Sequence, residues 1–370
     1  MRTVGARVAV GRRNLFAERR RGLLGVAGTA AALLLVLAVG AVFDGAMRQI
    51  TRYIDTQPAQ LFVSQPGVRN LHMASSFVPL EDVEAIEAIP GVGSVAPILF
   101  AQDGLETDAG RRLSYVIGYV PGRAGGPAEL QTGTEPGSGE IVLDESTAES
   151  LGAGLGDRVD ALGTSWRVSG LVSELSNIAN GAAFVRLEDF AAARELRGTA
   201  SYLLVGTGRE PREVATAIER TTGLEATTRE AFSASERELV SDMIGDVLRI
   251  LTAAAWLVGF AVVALTLYAA TRSRLRDIGV MKALGAGRGA LSRVVLTQAA
   301  WTVGAAMVVA AALTFGVGSL LARTSSPVTM ALEPGALVRV AAISVVVGTA
   351  ASIAPLVKVS RLDPASVFRR

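Results

Sequence analysis

The chain of 370 residues is half hydrophobic and carries a formal net charge of only +2, with a positive mean hydropathy; it is too apolar for an ordinary soluble domain. It has no cysteine, which excludes disulfides, thiolate catalysis and Cys-ligated zinc. Its two lysines, Lys282 and Lys358, do not follow a glycine, so the GxxxxGK[ST] phosphate loop is absent and the chain cannot hydrolyse ATP by that chemistry. His72 is the only histidine; catalysis or metal binding would need partners such as a second one, so an exposed loop position outside the membrane is expected for it.

In chain order, residues 1–22 carry Arg2, Arg7, Arg12, Arg13, Arg19, Arg20 and Arg21 against Glu18. Leu23–Phe43 follows, 21 residues without a charge. Roughly 20 apolar residues, each rising about 1.5 Å, cross a bilayer core of about 30 Å. Arg12-Arg13-Asn14-Leu15-Phe16 hints at a twin-arginine signal, but signal cores run to about 7–15 residues, so residues 23–43 are read as a retained span. The basic flank places the N-terminus in the cytosol, and the chain emerges outside at about Asp44. Residues 44–246 then change to the mixed charges and turn signals of a water-exposed α+β domain.

Within that domain Val83, Ile86 and Ile89 predict a helix over Leu80–Ile89, ended by Pro90-Gly91. Strands are predicted at Ser94–Ala101, Leu113–Val120, Glu140–Leu143, Val159–Leu162, Trp166–Val172, Ala183–Val185, Tyr202–Val205 and Leu224–Thr227. Helices are predicted at Ser146–Leu151, Leu187–Leu196 and Pro211–Thr221. The Gly- and Pro-rich residues 121–139 are the expected mobile loop. Arg229–Leu248 mixes apolar and charged residues with no proline, so one helix is expected to run from the domain into the membrane. Such a rod suits transmission of movement, or it is an ordinary juxtamembrane helix.

Residues 247–270 and 294–322 are the second and third spans. The loop between them, residues 271–293, sets Arg272, Arg274, Arg276, Lys282, Arg288 and Arg293 against Asp277 alone. Positive residues in short loops stay cytoplasmic, so this loop faces the cytosol. Residues 323–335 make a short external loop. Residues 336–357 form the fourth span, with Arg339 near its outer end where it can snorkel, and residues 358–370 a basic cytoplasmic C-terminus. The fold class expected is an α-helical membrane protein with four transmembrane helices and an α+β extracytoplasmic domain between the first two.

Ser344, Gly348 and Ser352 recur every fourth residue, a small-residue stripe suited to packing within the bundle or to a dimer seam. In the cytosolic loop Ile278, Met281 and Leu284 lie three apart, an apolar stripe on a helix of about three turns. Gly285 and Gly287 then break or cap that helix. It could rest on anionic lipid headgroups or dock in a groove of a partner protein; the pattern leaves both open. No intramembrane acid–base pair or polar chain marks a solute path. A membrane enzyme has little to build on, and because the basic residues follow the membrane flanks, no nucleic acid is expected as a partner.

These segments resemble one family. Arg272–Gly289 (RSRLRDIGVMKALGAGRG) is similar to the signature loop of FtsX-like ABC transporter permeases, a group that includes MacB, LolC and LolE. Pro355–Arg369 resembles the ending of the same permeases, and Val8–Gly28 their entry into the first span. Val78–Pro97 and Gly139–Val159 resemble the MacB-type periplasmic core. Two departures are Asp277, where the family usually has Glu, and Gln298-Ala299-Ala300, which lacks the acid often found at the start of the third span.

The resemblance implies a non-catalytic permease subunit in the cytoplasmic (inner) membrane of a bacterium, with both termini inside. It implies that Arg274, Arg276, Asp277, Ile278, Met281, Lys282, Leu284 and Gly285 form a coupling helix seated in a separate ABC ATPase subunit. That subunit, a dimer, would bind ATP and Mg; this chain is expected to hold no cofactor or metal. MacB fuses its ATPase to the permease, whereas here only residues 1–22 precede the first span. Further partners implied are a second permease copy or homologue, membrane lipid, and an external adaptor or substrate protein. Export or extraction of a hydrophobic or amphipathic substrate by mechanical movement of the outer domain is the function expected. The alternative is an FtsX-like regulator that activates a cell-wall hydrolase.

Overall fold

A computed structural model describes residues 19–72, 75–173, 175, 180–272, 280–281, 287–324 and 330–360. The chain divides into two compact units, Gly45–Asp246 with Leu321–Thr329, and Met1–Asp44 with Val247–Leu320 and Met330–Arg370.

The first of these is an α+β domain. Its strands are β1 (Leu61–Ser64), β2 (Val78–Pro79), β3 (Val92–Thr107), β4 (Gly110–Tyr119), β5 (Leu130–Gly133), β6 (Glu140–Asp144), β7 (Arg158–Ala161), β8 (Thr164–Val172), β9 (Gly181–Arg186), β10 (Thr199–Ala200), β11 (Tyr202–Thr207) and β12 (Glu225–Thr228). Ten of them join in one mixed sheet with the order β12-β1-β11-β3-β4-β9-β6-β8-β5, β7 bridging β3 and β8, while β2 and β10 pair separately. The 16-residue β3 belongs to both halves of the sheet: its start pairs with β11 and its end forms a hairpin with β4.

Short helices cover the sheet: α2 (Asp82–Glu87), α3 (Glu145–Leu151), α4 (Leu187–Ala193) and α5 (Pro211–Thr222). Local chemistry sets their ends. The Asp144 carboxylate accepts from the Ser146 N–H at 3.0 Å to start α3, and Gly152 at φ +60° closes it. Pro211 occupies the first turn of α5, and Gly223 at φ +71° stops it. One core packs α3 and α4 against the β4–β9–β6–β8 half around Trp166 and Phe190. A second packs α2 and α5 on the β1–β11 half around Ile86 and Ile218.

The two-residue turn between β7 and β8 has φ +55° at Leu162 and +78° at Gly163, the twist-matched hairpin geometry. A leucine rarely takes that φ. Here its side chain is buried and its N–H is held by the Asp103 carboxylate.

Four long helices complete the chain: α1 (Arg19–Thr56), α6 (Arg229–Arg272), α7 (Arg288–Leu321) and α8 (Pro334–Ser360). Three stretches are long and apolar enough to cross a membrane, namely Leu23–Thr56, Arg249–Thr266 and Ala299–Leu321. Among the described residues the fourth expected span is represented by a shorter apolar helix, Pro334–Val347. These helices bury Leu33, Val36, Leu37, Val263, Val303, Ala306 and Val340 against one another. A Cβ added at Gly259 would stand 2.7 Å from Val36 Cγ2 and 3.3 Å from the Ala32 carbonyl, so glycine there lets α1 and α6 approach.

The first helix continues beyond the expected span of residues 23–43, as α1, to Thr56. Two expectations need correction. Residues 121–139 contain β5, paired with β8. There Gly133 is required, because its φ is +83° and a Cβ would lie 2.2 Å from the Ser169 carbonyl. Second, His72 is not an exposed loop residue: its side chain is 12% exposed and in contact with a buried carboxylate.

Candidate functional site

Of the residues expected to form the coupling helix, Met281 is described: Val280–Met281 is helical, with Met281 half-buried. Arg274, Arg276, Asp277, Ile278, Lys282, Leu284 and Gly285 lie outside the described residues. The loop is bounded by Arg272, the exposed last residue of α6, and by Arg288, which begins α7. On α8, Ser344 is fully buried and its hydroxyl donates to the Val340 carbonyl at 2.6 Å, satisfying it within its own helix. Gly348 and Ser352 continue that helix, and their surroundings lie outside the described residues.

The arrangement that sequence reasoning missed is in the α+β domain, where the end of α1 and the beginning of α6 are laced to each other and to the sheet. The Asp55 carboxylate accepts from Thr51 Oγ1 at 2.8 Å and from Ser233 Oγ at 2.7 Å. Arg237 reaches the same carboxylate at 3.4 Å and donates to Ser233 Oγ at 2.9 Å. Arg229 Nη1 donates to the Gln57 carbonyl at 2.8 Å just beyond the end of α1. Phe232 of α6 stacks on Phe62 of β1 with ring centroids 4.7 Å apart, and meets the edge of Tyr202 at 5.8 Å.

The α1 end also grips the Gly125-Gly126 turn. Tyr53 Oη donates to the Gly125 carbonyl at 2.9 Å, the Gly125 N–H donates to Gln57 Oε1 at 2.8 Å, and Gln57 Nε2 donates to the Gly126 carbonyl at 3.2 Å. Only glycine fits Gly125: its φ is +107° and a Cβ would stand 2.4 Å from Ile98 Cγ2. The Gly-Gly dipeptide within 121–139 was the visible signal, but composition alone reads it as a loose loop.

Glu236, two turns into α6, is fully buried. Its Oε2 accepts from the Leu71 N–H at 2.6 Å, and its Oε1 lies 2.5 Å from His72 Nδ1. The His72 ring packs edge-on against Tyr115 at 4.4 Å and Phe100 at 5.7 Å. Burial, and then the Glu236 charge, push the Tyr115 hydroxyl up to about 12. The same two causes raise Tyr202, whose hydroxyl donates to the Asn70 carbonyl at 2.6 Å. The chain at Leu71 and His72 is thereby tied to α6 through a paired, hydrogen-bonded carboxylate. Among the described residues no group of His, Asp and Glu could hold a metal ion.

Residues 23–221 match the family model of the MacB-like periplasmic core domain, and residues 249–364 match that of the FtsX-like permease C-terminal region. An uncharacterized ABC transporter permease of Mycobacterium bovis is 23% identical over 351 residues, covering 95% of this chain and 96% of its own. A second, from Mycobacterium tuberculosis, is 24% identical over 361 residues with the same coverage. Among solved structures, the extracellular domain of the noncanonic ABC-type transporter YknZ from Gram-positive bacteria matches 46% of this chain and 98% of its own, at 16% identity and a TM-score of 0.35. The periplasmic region of MacB from Actinobacillus actinomycetemcomitans matches 48% of this chain and 91% of its own, at 13% identity and a TM-score of 0.38.

Proposed function

Because the chain belongs to the FtsX-like ABC transporter permeases with a MacB-like periplasmic core domain, we propose that it couples ATP hydrolysis by a separate ATPase subunit to movement of its α+β domain. The observation that carries this reading is α6: one uninterrupted helix of 44 residues, beginning in the hydrogen-bonded latch around Asp55 and Glu236 and ending at Arg272. A hydrogen-bonded helix resists bending and compression far better than a flexible linker, so displacement at one end reaches the other. The α1 end is fixed to the same latch, giving the domain two stalks rather than one.

In this reading residues 271–293 face the cytosol and Arg274, Arg276, Asp277, Ile278, Met281, Lys282, Leu284 and Gly285 engage the ATPase. ATP and Mg belong to that subunit, consistent with a sequence that lacks the phosphate loop. Residues 336–357 make the fourth span, both termini lie in the cytosol of a bacterium, and a second permease copy or homologue completes the membrane part. The substrate class is hydrophobic or amphipathic, moved by mechanical work on the outer domain rather than through a polar channel.

The test is the Met281→Asp variant, isolated by an affinity tag from native membranes. It is expected to insert and fold as wild type yet lose the ATPase and its permease-stimulated turnover, because an unpaired carboxylate in an apolar contact costs several kcal/mol. Retention of the ATPase with unchanged turnover would remove the coupling helix from the account. Capture of a cell-wall hydrolase with no substrate movement would instead favour the regulatory alternative.

A further inference from the structure

In the α+β domain a groove of about 380 Å³ separates the start of β3, at residues 93–96, from residues 122–124 of the turn that follows β4. Pro58 and Ala59, just past the end of α1, and Glu87 at the end of α2 also line it. Among the described residues β11 alone pairs with residues 92–98 of β3, and β4 joins the other side only from Leu99 onward. That other side is a strand edge. Arg123 guards it by donating from Nη1 to the Val95 carbonyl at 3.0 Å, and Pro97, two residues on, has no N–H to offer there. Strand addition by a partner is therefore disfavoured, and the use of the groove lies in how its far wall is held.

That wall is held by α1. Tyr53 and Gln57, 8% and 2% exposed, make three hydrogen bonds to Gly125 and Gly126, at 2.9, 2.8 and 3.2 Å. Toward the strand edge the turn is tied by the single bond from Arg123, an exposed side chain that water can replace. Its glycines otherwise touch the sheet through apolar surface: a Cβ at Gly125 would stand 2.4 Å from Ile98 Cγ2, and one at Gly126 2.4 Å from Tyr119 Cε2. Such contacts are not directional and let the turn slide. Three largely buried bonds outweigh one exposed bond, so a shift of α1 carries the turn with it and the Arg123 contact gives way.

We propose that Tyr53 and Gln57 are positioning residues: through them α1 moves the turn against β3 and sets the width of the groove. This rests on the reading that the ATPase drives the stalk helices. It adds that α1 has its own point of action in the outer domain, separate from the latch it shares with α6. The groove then has two widths, one for each position of α1.

The chain has no cysteine, so a pair placed across the groove reads its width without background. Ser94→Cys with Ala124→Cys, one on each wall, would be made in the full chain, assembled with its ATPase and bridged by dibromobimane. The bridging rates of the nucleotide-free and vanadate-trapped complexes are expected to differ roughly fivefold, the population change that one released hydrogen bond commands. Tyr53→Phe with Gln57→Ala should erase that difference; a merely structural role would lower the melting temperature and leave the difference in place. If the double variant fails to fold, Tyr53→Phe alone, which removes one hydroxyl, should still reduce it. Permease-stimulated ATP turnover of the same samples separates this inference from the reading beneath it. Equal bridging in both states with stimulated turnover overturns the role of the turn and leaves the coupling standing. Turnover that the permease does not stimulate removes the coupling, and this inference with it. A nucleotide-dependent difference that survives both substitutions would show that something other than Tyr53 and Gln57 moves the turn, which also overturns the proposal.

Discussion

Glu236 concentrates the residue-scale physics of this protein. A fully buried carboxylate survives only where its oxygens are occupied, and here one holds the Leu71 N–H and the other meets His72. Glu236→Ala strips the acceptor from both groups and leaves them buried without partners. The loss expected is about 1–3 kcal/mol, which for a domain of this size lowers the melting temperature by roughly 3–10 °C. Tryptophan fluorescence of the full chain in detergent would follow it, since Trp166 sits in the domain core. A variant that melts with the wild type would show that the pair adds no stability. Nothing near His72 in the sequence points to this contact, because its partner lies 164 residues away. A lone histidine in a polar loop reads as exposed; packing against Phe100 and Tyr115 decides otherwise.

At the scale of elements, the short helices and most strands were legible because their signals are local. Asp144 and Gly152 bracket α3, Pro211 and Gly223 bracket α5, and alternation marks β8. β1 was not legible: Leu61–Ser64 is buried throughout and lies between β11 and β12, so it shows no alternation. The continuation of α1 to Thr56 was hidden for a related reason. Arg48, Arg52 and Asp55 look like the start of a soluble domain, yet Thr51 and Asp55 are what bind that helix to α6. The unbroken α6 supports a sharp prediction. Val247→Pro removes one backbone hydrogen bond and crowds the preceding turn, at about 3 kcal/mol. The variant should still carry its ATPase but lose substrate-dependent stimulation of turnover; full stimulation would mean that the helix is not the transmitter.

For the whole molecule, the absence of cysteine makes the orientation directly measurable. Ser138→Cys and Gly287→Cys both sit at exposed positions, one in the α+β domain and one before α7. In intact cells a membrane-impermeant maleimide is expected to label the first and spare the second, with the second labelled only after the cells are opened. The reverse pattern would invert the topology drawn from the arginine-rich loop.

What the sequence determined alone are the properties that depend on neighbours along the chain. The apolar runs in Leu23–Thr56, Arg249–Thr266 and Ala299–Leu321 are long enough for a bilayer whatever they pack against, because every backbone polar group is satisfied within its own helix. The family likewise rests on contiguous motifs. Only the tertiary structure decided the sheet order, the passage of β3 between the two halves, the glycine turn gripped by α1, and the carboxylate latch between the stalk helices. The glycine turn and the latch join groups from 68 to 178 residues apart. Closing such separations costs chain entropy that no local pattern records, and it is recovered only when the whole core forms around them.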